Sequence, residues 1–152
     1  SRPTRPARKV LFSRPADPKD PESVVEYLIE MFGVIGSPAY PPEPGELRQR
    51  LNRSVRRAYS PAGTARQLLA IIASGDRRKL LRTIVAPTLV IHGAEDPLVP
   101  LAAGRDTAKE IPGAALLVIE GMGHDLPAAL LPRLVEAIAG HCGCAAPATG
   151  EP

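Results

Sequence analysis

Two short apolar runs, each closed by glycine, constrain this chain more than anything else in it. The first is TLVIH at 88–92, followed by Gly93, and the second is ALLVIEG at 115–121. Residues 101–110, between them, read as helix. Strand, helix and strand over about thirty residues make a βαβ unit, with parallel strands and a right-handed crossover. Neither run alternates polar with apolar residues, a pattern that predicts a sheet covered on both faces. The fold class is therefore α/β. Two strands do not make a stable parallel sheet by themselves, and the run at 88–92 would carry a bare edge. The expectation is a partial fold whose other strands lie before residue 1.

The chain ahead of this unit reads as helix and loop. Residues 1–19, with prolines at 3, 6, 15 and 18, are expected to be irregular. Asp20, Pro21 and Glu22 then form a helix start: a capping carboxylate, a proline where no N–H is needed, and an acid in the first turn. Val24, Val25, Leu28, Ile29 and Phe32 follow at helical spacing, which predicts a helix over about 21–33. After a proline-rich break at 38–44, Leu47, Leu51 and Val55 mark a second helix over about 45–58. Ser60 and Pro61 start a third, to about 73, and Asp76 caps a short fourth. All four are expected to turn basic faces outward and apolar stripes inward. A last helix falls within 128–140.

Charge and composition exclude several classes of function. The 152 residues include 16 Lys/Arg against 8 Asp/Glu up to residue 82, and 3 against 8 beyond it. The basic half lacks interleaved aromatic residues for base stacking, and its arginines spread along helix faces, so no nucleic-acid partner is expected. No stretch approaches the roughly 20 apolar residues of a membrane helix, and no secretion signal is visible, which points to a cytoplasmic protein without a membrane partner. Two cysteines, Cys142 and Cys144, sit together in GHCGC. They make no disulfide framework, and with His141 they form at most half a metal site.

Chemistry in a parallel sheet gathers beyond the carboxyl ends of the strands. Two polar clusters occupy those places: HGAEDPLVP at 92–100 and GMGHDLP at 121–127. Neighbouring strands would bring their loops together, so that Asp96 meets His124. A carboxylate on imidazole Nδ1–H sets the tautomer and leaves Nε2 free to take a proton. The plain alternatives are a turn-capping aspartate before Pro97 and a histidine bonded to backbone. Glu95 is a second candidate acid, Asp125 reads as a turn residue, and His92, at a strand end, as structural. A metal site from His92, Asp96 and His124 is possible on residue type.

These residues resemble a family. PTLVIHGAEDPLVP, followed by IPGAALLVIEGMGHDLP, is similar to the C-terminal part of an α/β-hydrolase-fold enzyme, nearest to bacterial small-ester hydrolases such as aclacinomycin methylesterase. In that family a G-x-x-D turn carries the triad acid and a G-H pair carries the triad histidine, in the order Ser, Asp, His. The resemblance implies Asp96 as acid and His124 as base. It also implies a small-molecule ester substrate, no organic cofactor and no metal. The implied division is an irregular linker at 1–19, a helical cap at 20–83, the last part of the hydrolase core at 84–141 and a flexible tail at 142–152.

One departure matters. No serine lies in a G-x-S-x-G frame; Ser37, in VIGSPA, comes nearest. The resemblance therefore implies a chain that holds acid and base but lacks the nucleophile, inactive alone and completed by the missing N-terminal half of the fold. The alternatives are a non-catalytic remnant or a module that self-associates through its open sheet edge. Within the fold, an acyltransferase or haloperoxidase would carry the same residues.

Overall fold

A computed structural model describes residues 2–143. Of the expected tail at 142–152, residues 144–152, Cys144 among them, lie outside the described residues. The elements run α1 (Arg5–Leu11), α2 (Pro21–Ile35), α3 (Pro44–Arg57), α4 (Pro61–Ser74), α5 (Arg78–Leu81), β1 (Leu89–Gly93), α6 (Leu101–Glu110), β2 (Ala115–Ile119), a 3-10 turn at Ala128–Leu130, and α7 (Leu131–His141). β1 and β2 pair in parallel, Leu89 opposite Ala115 through Gly93 opposite Ile119. The βαβ unit is thus present, and no third strand pairs with it among the described residues.

The helix starts follow local chemistry. Asp20 accepts from the Glu22 and Ser23 N–H groups, and Pro21 fills the position where a missing N–H costs nothing. The Ser60 hydroxyl accepts from Gly63 N–H ahead of α4. Asp76 accepts from both the backbone and the guanidinium of Arg78, and this partner holds its carboxyl down to about 2. α6 has the bounds expected for the stretch between the strands, Leu101–Glu110.

Three expectations need correction. Residues 1–19 are not wholly irregular, because Thr4 caps α1 by accepting from Ala7 N–H and Pro6 sits in its first turn. Prolines 3, 6, 15 and 18 therefore flank or start this helix and never interrupt it. Ala7 is fully buried and α1 packs on α2. The second correction concerns α4, which buries none of its residues; Leu69, Ile71 and Ile72 stay exposed because no other element among the described residues lies against them. The third is the covering of the sheet. β1 and β2 are mostly half-buried, since α6 packs on the pair but two strands offer too little surface to enclose both faces.

Two apolar clusters hold the rest. Val25, Leu47 and Leu51 join α2 to α3, with Phe32 and Val55 beside them. Across the top of this pair, Arg48 bonds both Glu22 and Glu26. The other cluster joins Ile119, Met122, Leu130 and Leu134 under the end of β2, with Tyr40 packed against it. Gly104 lets α6 approach β1, because a Cβ there would lie 2.5 Å from the His92 ring.

Candidate active site

The carboxyl ends of β1 and β2 set the site. Beyond Gly93 the chain turns, and the turn is tied to the loop after β2. Ala94 N–H donates to Ile119 O at 3.0 Å, and Glu95 N–H donates to Met122 O at 3.1 Å. Gly93 is needed there, since a Cβ would stand 2.3 Å from the Met122 carbonyl oxygen. Two loops 28 residues apart in sequence are thereby held as one unit.

Asp96 is buried in this turn, with a side chain 6% exposed. Its Oδ1 accepts from the N–H groups of Leu98 and Val99, each at 2.8 Å. Its Oδ2 stands 2.7 Å from His124 Nδ1. A carboxylate already taking two backbone N–H bonds acts only as an acceptor, so the imidazole proton belongs on Nδ1. His124 Nε2 makes no hydrogen bond among the described residues, and the side chain is 39% exposed. The ring is thus oriented by a buried carboxylate able to stabilise its cationic form, and Nε2 is left without a protein partner among the described residues.

The other candidates fall elsewhere. His92 Nε2 lies 2.7 Å from Val99 O, to which it donates, and 4.0 Å from Asp96 Oδ2; it braces the acid turn. Glu95 does not bond His124. Asp125 Oδ1 accepts a hydrogen bond from the Ser37 hydroxyl, 2.5 Å from Ser37 Oγ. No group of three or more His, Cys, Asp or Glu placed to hold a metal ion occurs among the described residues.

Ser37 is the residue that sequence reasoning passed over. It was visible only as a serine outside the expected frame. It is buried, and its Oγ also accepts from Gly123 N–H at 2.8 Å. Its partners lie 86 and 88 residues away, and no spacing rule reaches that far.

A cleft of about 540 Å³ opens against the two loops, lined by the chain neighbours of Asp96 and His124 and not by the pair itself. Ile29, Phe32 and Val34 of α2 form one wall, and Pro38, Pro41 and Pro42 another. Glu95, Pro97 and Asp125, which flank Asp96 and His124 in the chain, reach its lining.

Residues 12–127 match the alpha/beta hydrolase fold family. The chain belongs to that family. Rhodomycin D methylesterase DnrP of Streptomyces peucetius is 28% identical over 120 residues, which cover 79% of this chain and 40% of that protein. Non-heme chloroperoxidase CPO-A1 of Kitasatospora aureofaciens is 47% identical over 47 residues, 30% of this chain and 17% of that one. Among solved structures, the esterase EaEST from Exiguobacterium antarcticum superposes with a TM-score of 0.67 at 20% identity, over 90% of this chain and 47% of its own. The chain therefore spans less than half the length of these relatives, and its fold is a partial α/β-hydrolase fold, as the sequence implied. No helix among the described residues is long and apolar enough to cross a membrane.

Proposed function

We propose that this chain supplies the acid and base of a serine hydrolase acting on a small, largely apolar ester. The observation that carries the reading is the 2.7 Å contact between Asp96 Oδ2 and His124 Nδ1, with Nε2 left free. The nucleophilic serine comes from outside these residues, since no G-x-S-x-G turn occurs in them. Nε2 takes the serine proton as Oγ attacks the ester carbonyl. The imidazolium, paired with Asp96, returns that proton to the departing alkoxide. A water then repeats the exchange on the acyl-enzyme and frees the acid. Residues 20–83 act as the cap, and α2 walls the alcohol or acyl group in the cleft. An ester substrate is supported by the methylesterase relative.

The direct test has two parts. An in-frame G-x-S-x-G in the coding sequence ahead of residue 1 supports the reading, and its absence overturns the idea of an intact parent enzyme. The isolated chain, given a chromogenic acetate ester, is expected to show no rate above background. A rate that survives serine-directed inhibitors would contradict the assignment, and one they abolish would mean that a serine within these residues is the nucleophile.

The chloroperoxidase relative favours a second reading within the same fold, a haloperoxidase. Peroxide-dependent halogenation by the longer protein, without ester hydrolysis, would select it. A non-enzymatic reading draws on the outer edges of β1 and β2, which are unpaired among the described residues. Light scattering after size exclusion tests that: a clean monomer speaks against edge pairing.

A further inference from the structure

We propose that Ser37 and Asp125 form a clasp that positions His124 from the C-terminal end of α2, and so ties the wall of the cleft to the base. This rests on reading His124 as the base.

Residues 35–37 hold residues 123–125 through three hydrogen bonds. His124 N–H donates to Ile35 O at 2.8 Å. Gly123 N–H donates to Ser37 Oγ at 2.8 Å, and Ser37 Oγ–H donates to Asp125 Oδ1 at 2.5 Å. The two backbones also touch, because a Cβ on Gly123 would fall 2.3 Å from Gly36 O. The histidine is therefore gripped at its own amide and on both sides of it, while Asp96 holds its ring. One grip ends on Ile35, the last residue of α2, and the other two on Ser37, two residues past it; α2 and Ser37 both line the cleft.

Ser37 does here what few side chains can. A hydroxyl both accepts and donates through one atom, so it bridges an N–H and a carboxylate. Its proton is committed to Asp125, which removes Ser37 from the candidates for nucleophile. Alanine would leave the buried Gly123 N–H without a partner and free Asp125 to turn away. With the loop released, the Nδ1–H bond to Asp96 weakens and the ring samples its other tautomer. Ser37 is thus a positioning residue, acting on the reaction through His124 alone.

The tautomer is the readout, since a purely structural serine would not move it. Long-range proton–nitrogen spectra of the 15N-labelled 152-residue chain report each imidazole separately. In the parent, neutral His124 is expected as the Nδ1–H form. Ser37→Ala and Asp125→Ala should each raise its Nε2–H form about fivefold, the equivalent of one ordinary hydrogen bond. The His141 signals should stay put in both. Asp125→Asn keeps an oxygen for the Ser37 hydroxyl and should resemble the parent. Asp96→Asn turns an amide donor toward Nδ1 and should invert the ring to Nε2–H. If Asp96→Asn leaves the tautomer unchanged, the acid–base reading itself fails. If it inverts the ring while folded Ser37→Ala and Asp125→Ala leave His124 as in the parent, the clasp alone is overturned. Should Ser37→Ala not fold, Asp125→Ala decides by the same criterion, because it spares the Gly123 bond.

Discussion

Gly123→Ala is a severe test of the packing under the candidate site. The new Cβ would lie 2.3 Å from Gly36 O, 2.5 Å from Gly36 C and 2.7 Å from Ile35 O, all of them backbone atoms. Ordinary contact begins near 3.4 Å, so the α2 terminus and the His124 loop must part by about 1 Å. Opening the 2.8 Å bond from His124 N–H to Ile35 O by that much takes it beyond hydrogen-bond range. The same movement strains the Gly123–Ser37 bond. Overpacking costs about 1–3 kcal/mol and each lost hydrogen bond about 1 kcal/mol, so the substitution should remove roughly 3–5 kcal/mol. That is a large part of the stability of an ordinary domain, and for a chain of this size it lowers Tm by roughly 10–15 °C. Thermal melting by circular dichroism gives the shift, and amide spectra place it at Ile35, Gly36 and His124. A variant melting within about 2 °C of the parent, with those amides unmoved, would refute the contact between α2 and the loop.

Three further outcomes follow from other parts of the fold. Ile119→Ala empties a fully buried position beside Met122, Leu130 and Leu134, and should cost about 2–5 kcal/mol in denaturant unfolding; less than 1 would mean that this cluster is not closed. Asp76, held to about 2 by Arg78, contributes above its ordinary carboxylate range, and the contribution disappears as pH falls through about 2. A carboxyl 13C titration should find that midpoint, and a value at the unperturbed 3.8 would show that the Arg78 contact does not persist in solution. In a full-length hydrolase of the kind proposed, His124→Ala and Asp96→Asn should each lower kcat by about three orders of magnitude or more with little change in KM; a loss confined to KM would assign the pair to binding.

Legibility in the sequence tracked the distance over which each feature is decided. α2 and α4 begin at Asp20–Pro21 and Ser60–Pro61 because capping and proline placement act within three residues. The two strands follow from apolar runs of five to seven residues closed by glycine, α6 from the helical stretch between them, and the parallel pairing from the crossover. Asp96 and His124 were readable for the same reason: each sits in the turn after an apolar strand, and adjacent strands leave little choice about which loops meet. α1 was missed because four prolines in nineteen residues look like a broken segment, whereas their positions relative to Thr4 make one of them a helix starter.

What local pattern determined, then, was the α/β class, the order of elements from α2 onward and the two loops that meet beyond the strands. What only the tertiary structure decided was burial and grip. The apolar residues of α4 look like an inner stripe, yet they stay exposed, since burial depends on what lies opposite and not on spacing. Ser37 looks like a serine in a loop, yet it is buried and bound to Gly123 and Asp125. Hydrogen bonds between segments more than eighty residues apart exist only after the chain has folded back on itself. No window along the sequence contains both partners.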